Sequence, residues 1–115
     1  MINIAVYGSL KKGRYNHGIL EGAELLGKST VKGQLYSMGA YPALVRQGEN
    51  KYEVELYSVS EEVFNPIDRM ELGAGYVGEK RTYATASGEV EATTYFAGIE
   101  LKEYCEEKKE KINSY

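Results

Sequence analysis

Apolar and polar residues alternate from the start of the chain. Ile2, Ile4 and Val6 interleave with Asn3, Ala5 and Tyr7, a period of two that predicts a strand. The turn signals Gly8-Ser9 and Lys12-Gly13 follow. From Asn16 to Leu26 the spacing changes: Ile19, Leu20, Ala23 and Leu26 can share one helical face, interrupted by Gly18 and Gly22. Alternation returns from Val31 to Tyr36 and stops at Gly39. After the Tyr41-Pro42 dipeptide, Ala43 to Arg46 predicts a short strand ending at Gln47-Gly48, and Tyr52, Val54 and Leu56 mark another strand running to Val59.

Ser60-Glu61-Glu62 has the make-up of a helix start, a capping hydroxyl with two carboxylates near the positive end of the dipole. Asn65-Pro66 resets that start, because proline suits a first turn better than a helix interior. The expected helix therefore runs from Pro66 to about Leu72 and is closed by Gly73-Ala74-Gly75. Thr82 to Ala86 and Val90 to Phe96 flank Ser87-Gly88 and predict a hairpin. Leu101 to Ile112 is charged and helix-prone, predicting a C-terminal helix within residues 101–115 with a thin apolar stripe of Leu101, Tyr104, Cys105 and Ile112. Five or six strands with two or three short helices, and no βαβ alternation, predict an α+β fold; short strands joined by glycine turns suit a small mixed β-barrel. At 115 residues the chain reads as one domain, 1–115.

Composition narrows the chemistry. The net charge of −3 and the scattered Lys and Arg residues lack the clustered basic face that nucleic acid demands. The opening residues carry no basic leader, and their apolar run is too short to span a bilayer. The single cysteine, Cys105, fits a reducing compartment, so a cytoplasmic location is the expectation. The chain has one His (His17), one Asp (Asp68) and one Cys, too few to build a His/Cys zinc site or an Asp-rich magnesium site within one subunit. No metal or cofactor is therefore expected. Tyrosine is abundant instead, with 11 copies against two Phe and no Trp; ring hydroxyls suit the wall of a polar pocket, or a partly exposed strand.

Two motifs fail on context. Gly22-Ala23-Glu24-Leu25-Leu26-Gly27-Lys28-Ser29 spells the phosphate-binding G-x-x-x-x-G-K-[ST] pattern, which works only between a strand and a following helix; here a strand follows. Ser9, His17 and Asp68 could spell a catalytic triad, but no G-x-S-x-G elbow exists. Cys105 sits among Glu103, Glu106 and Glu107, whose negative field disfavours a thiolate, and reads as a packing residue. The Gly8-Ser9 turn after the first strand differs: it can aim successive backbone N–H groups into one concavity, an anion nest.

The segment Ala5-Val6-Tyr7-Gly8-Ser9-Leu10 resembles the signature of the gamma-glutamyl cyclotransferase-like family, in which a first strand ends in Tyr-Gly-Ser or Tyr-Gly-Thr followed by Leu. The resemblance continues in order through Asn16-His17, Leu20, Gly33-Gln34-Leu35-Tyr36, Gly39 to Val45, Tyr52 to Tyr57, Ile67-Asp68-Arg69-Met70-Glu71, Tyr76 and Tyr95, covering residues 2 to 97. It implies that the backbone of Gly8, Ser9 and Leu10 holds the carboxylate end of a gamma-glutamyl group. Tyr7 would wall the pocket, Tyr76 and Tyr95 would contribute hydroxyls, and Glu71 would be the catalytic acid/base. Asp68, one helical turn before Glu71, would be structural. The implied reaction releases 5-oxoproline by attack of the substrate's own α-amine on its γ-carbonyl. The alternative is a binding module that captures a small anionic metabolite or a nucleotide-like ligand in the same pocket without turnover. The partner in either case is a small molecule. Leu72 follows Glu71 where family members often carry Gly, and Val77-Gly78 follow Tyr76 where an Arg is often close behind.

Overall fold

The computed structural model describes residues 1–8, 17–20, 22–39 and 41–113. Six strands form one mixed sheet in the order β4-β5-β1-β3-β2-β6. They are β1 (Ile2–Val6), β2 (Glu24–Ser37), β3 (Pro42–Val59), β4 (Tyr76–Thr85), β5 (Gly88–Ala97) and β6 (Lys111–Ile112). Two helices, α1 (Glu61–Gly73) and α2 (Ile99–Lys108), and a single 3-10 turn at His17–Leu20 complete the described elements. β1 runs antiparallel to β3 and parallel to β5; the other pairings are antiparallel.

The α+β class holds, but the expected barrel is not closed. β4 and β6 are the ends of the sheet, and β4 pairs with β5 alone. The sheet nevertheless coils far enough for Ser29 Oγ on β2 to donate to the Ala84 carbonyl on β4, at 2.7 Å, and no ladder joins those strands. Strands twist in a fixed sense and long ones carry that twist furthest. β2 and β3, 14 and 18 residues long, wrap the sheet towards closure without completing it.

Both faces of the sheet are covered. Ile4, Val6, Val45, Tyr57, Val59, Tyr76 and Tyr95 pack with Ile67 of α1 and Cys105 of α2. Ala5, Tyr7, Leu44, Leu56, Tyr83 and Phe96 pack on the other face, inside the curl. Alternation in β1 therefore separates two cores rather than core from solvent.

Several predicted boundaries move. The helix expected from Asn16 to Leu26 is a 3-10 turn followed by β2, which takes in Leu25 and Leu26. The strands predicted at Ala43–Arg46 and Tyr52–Val59 are one strand that bends between them. Its register on β2 jumps from Gly33↔Asn50 to Gln34↔Val45, leaving Arg46 to Glu49 as an unpaired excursion. α1 begins at Glu61, not Pro66: the Ser60 hydroxyl accepts from the Val63 N–H at 3.3 Å, and Pro66 rides inside the helix. Proline there removes one N–H and crowds the preceding turn, costing about 3 kcal/mol. Burying Ile67 and packing Val63 and Phe64 against the core offset that cost. α1 stops where predicted. The Ala74 N–H reaches the Met70 and Glu71 carbonyls, and Gly75 turns out with φ of +97°, a backbone state that side chains disfavour. The predicted hairpin turns at Ala86-Ser87. The C-terminal helix ends at Lys108, and Ile112, placed on its stripe by periodicity, instead pairs with Leu35 in β6.

The sequence's phosphate-loop lookalike, residues 22–29, runs into β2 with no helix after it, so the pattern has no helix N-terminus to offer.

Candidate active site

Tyr7 follows β1 directly and is buried in the curl of the sheet. Its hydroxyl donates to the Tyr95 carbonyl of β5, and the Leu44 backbone also bonds it. Burial pushes the phenol well above its usual range, aided by the nearby charges of Tyr76 and Glu71. Gly8 comes next, against the first residue of β3: a Cβ there would lie 2.9 Å from Pro42 Cδ. That contact leaves room for no side chain without a shift, so the backbone of the bend can approach whatever lies above it.

Pro42 is a second point of convergence. The Tyr76 hydroxyl, from the first residue of β4, donates to the Pro42 carbonyl at 2.9 Å. Tyr95 turns to the helical face, where its hydroxyl donates to Asp68 Oδ1 at 2.7 Å. Burial and the Asp68 carboxylate push the Tyr95 phenol far up, so it remains a donor. Asp68 is thus a hydrogen-bonding anchor between α1 and β5, in keeping with the structural role expected of it.

Glu71 lies three residues beyond Asp68 on the same helix and is half-buried. Burial raises its carboxyl from 4.5 to about 7. Its charge is felt at both Tyr7 and Tyr95. The fold therefore brings Tyr7, Gly8, Glu71, Tyr76 and Tyr95 to one place at the ends of β1 and β5 and beside α1. Ser9 and Leu10, also expected at this site, lie outside the described residues, as does Ser9 of the triad spelling. Asp68 of that triad is already engaged by Tyr95.

A proton carrier with a pKa near neutrality, set among tyrosine hydroxyls and a close-approach glycine, can accept and return a proton at one spot. Among the described residues no cluster of three or more His, Cys, Asp or Glu side chains could hold a metal ion.

Residues 4–114 match the family described as Gamma-glutamyl cyclotransferase, AIG2-like. The chain belongs to that family. A Pyrococcus horikoshii protein provisionally named as a gamma-glutamylcyclotransferase is 42% identical to this family member over 76 residues, 65% of this chain and 64% of that protein. The gamma-L-glutamyl-butirosin B gamma-glutamyl cyclotransferase of Niallia circulans is 38% identical over 73 residues, 62% of this chain and 46% of that enzyme. The matched stretch is thus less than two thirds of either relative. Among solved structures, that of the Pyrococcus horikoshii protein superposes with a TM-score of 0.66 at 35% identity, covering 85% of this chain and 79% of that one. An AIG2-like protein from Mus musculus gives a TM-score of 0.75 over 100% of this chain and 88% of its own. Its 20% identity speaks for the shared fold alone.

Sequence reading missed the carbonyl of Pro42 and the backbone of Leu44 as tyrosine partners, since main-chain donors and acceptors leave no trace in residue type. It also missed a cluster on the other face of the sheet, Arg46, Glu79 and Arg81 over Phe96, whose members come from two strands that are not neighbours in the sheet.

Proposed function

We propose that this protein is a gamma-glutamyl cyclotransferase-type lyase that releases 5-oxoproline from a gamma-glutamyl amine or peptide, with Glu71 as general acid/base. The observation that carries the reading is Glu71 itself: a half-buried carboxyl raised to about 7, within electrostatic reach of Tyr7 and Tyr95. The backbone after Tyr7, from Gly8 through Ser9 and Leu10, would bind the substrate's α-carboxylate as an anion nest. Tyr7, Tyr76 and Tyr95 would shape the pocket.

In this scheme the ionised Glu71 takes a proton from the substrate α-ammonium. The freed amine attacks the γ-carbonyl carbon, forming the C–N bond of a five-membered ring. The tetrahedral centre then collapses: the γ-carbon to leaving-nitrogen bond breaks as the protonated Glu71 gives its proton to the departing amine, and the second proton of the ring nitrogen leaves through the again-ionised Glu71 to solvent. Ring closure within one molecule already carries a large effective concentration, so holding the substrate folded does much of the work. A pKa near 7 keeps both forms of the carboxyl available around neutrality, the best compromise for a group that must work in both directions. The reading calls for a small-molecule substrate, no metal, and a cytoplasmic setting.

The test is Glu71→Gln, assayed for 5-oxoproline against a panel of gamma-glutamyl amines and dipeptides. Loss of at least about 100-fold in kcat with the fold intact supports the assignment; undiminished turnover removes Glu71 from the mechanism. A wild-type protein that releases 5-oxoproline from no member of the panel, yet retains a small anion through purification, would instead be a binding module.

A further inference from the structure

On the face of the sheet opposite α1, two arginines and one glutamate meet over a buried ring. Arg46 Nε lies 3.3 Å from Glu79 Oε2, and Arg81 reaches the same oxygen through Nε at 2.7 Å and Nη2 at 2.6 Å. Both guanidinium carbons sit over the Phe96 ring, 4.9 and 4.7 Å from its centre, and Phe96 is fully buried. Arg46 arrives there because the Arg46–Glu49 excursion of β3 swings it out of the β2 ladder towards β4.

The cluster holds two positive charges against one negative. A structural ion pair between β3 and β4 needs one arginine; the second leaves a surplus of +1. All three contacts fall on one carboxylate oxygen, so both terminal nitrogens of Arg46 and Nη1 of Arg81 have no partner among the described residues. The ring beneath strips water from one face of each guanidinium and holds it flat. The donor edges remain open, since the side chains of Arg46 and Arg81 are 34% and 41% exposed. Two fixed planar donors and one carboxylate form three corners of a four-member square, and the missing corner is an anion with two oxygens.

We propose that Arg46 and Arg81 form a binding site for a carboxylate-bearing ligand, with Glu79 as the built-in counter-charge that aligns them. Two sources share that chemistry. One is the acid group of an amino-acid leaving group, in which case the site sets substrate preference and this part rests on the function proposed above. Arg46 is two residues beyond Leu44, whose backbone bonds the Tyr7 hydroxyl, a span of roughly 7 Å along a strand. The other source is a free small carboxylate.

The experiment begins without catalysis. Sodium acetate is exchanged for sodium chloride at constant ionic strength while the arginine side-chain Nε–H signals are followed by NMR. Arg46 and Arg81 signals are expected to shift and saturate together. Arg46→Gln leaves the short Arg81–Glu79 pair balanced and is expected to weaken acetate binding at least tenfold; Glu79→Gln frees a second positive charge and is expected to tighten it. Shifts that never saturate, or R46Q binding as well as wild type, overturn the proposal. Failure of the cyclotransferase reading leaves this titration intact. Kinetics then distinguish the sources: a preference for gamma-glutamylglycine over gamma-glutamylethylamide in kcat/KM that R46Q abolishes assigns the site to the leaving group. Equal use of both substrates, with acetate binding retained, assigns it to a free carboxylate.

Discussion

Raising the Glu71 carboxyl from 4.5 to about 7 has a thermodynamic consequence that does not depend on any substrate. Below pH 4.5 the group is neutral in both folded and unfolded chains and contributes no pH dependence. Between 4.5 and 7 the folded protein keeps a proton that the unfolded chain releases, so folding stability falls as pH rises; above 7 both states are ionised and the loss levels off. The shift of about 2.5 units, at 1.36 kcal/mol each, sets the full loss at about 3 kcal/mol, an upper bound because the side chain is only half-buried. Glu71→Gln removes this titration while keeping the shape. Urea unfolding of both proteins from pH 4.5 to 8 should show their stability difference drifting by as much as about 3 kcal/mol in favour of the glutamine variant, most steeply between pH 5 and 7. A difference that stays flat would mean that Glu71 is solvated like any surface carboxylate. A drift of the opposite sign would mean that it is stabilised as the anion. Either result removes the basis for its proton-carrying role.

Tyr95→Phe deletes the donor to Asp68 while leaving the ring in the core, and should cost about 1–3 kcal/mol by urea melt, since the partly buried carboxylate loses a charged hydrogen bond. Pro66→Ala restores a helical N–H in the middle of α1 and removes a ring clash; it should raise stability by about 1–3 kcal/mol with no change in 5-oxoproline output. Gly8→Ala meets Pro42 Cδ at 2.9 Å and must push the bend or β3 aside, so its KM for any gamma-glutamyl substrate should rise more than its kcat falls.

The parts of this protein that were readable from residues alone are those governed by neighbours in sequence. Alternation located β1 and parts of β2 and β3, the Ser87-Gly88 turn located the β4–β5 hairpin although β4 starts at Tyr76 rather than Thr82, and Gly75 ended α1 where its freedom of φ allows. Misreadings arose where distant contacts overrode local signals. Leu26 looks helical by spacing but lies in β2, at the bulge between Leu25 and Gly27, which pair with β3, and Pro66 looks like a first-turn residue until Ser60 supplies the cap and Ile67 the anchor. Gln47-Gly48 did mark a break in the β2–β3 ladder, but the chain bends there and continues as one strand. Glu71 stood out only as part of an ordered pattern, since a raised carboxyl depends on burial that no single letter encodes. The Arg46–Glu79–Arg81 group left no motif, because Arg46 lies 33 and 35 positions before Glu79 and Arg81 and is joined to them only by the curl of the sheet.

Because β4 never forms a ladder with β2, the β4–β5 hairpin is attached to the rest of the molecule mainly along one side. Two tyrosines fasten it further: Tyr7, at the end of the neighbouring β1, bonds the main chain of β5, and Tyr76 carries β4 across to the first residue of β3. The same rings that would line a substrate chamber therefore also fix its width. Phenylalanine at either position would loosen the walls as well as remove a hydroxyl, so a drop in turnover there reports the spacing of the chamber as much as its chemistry.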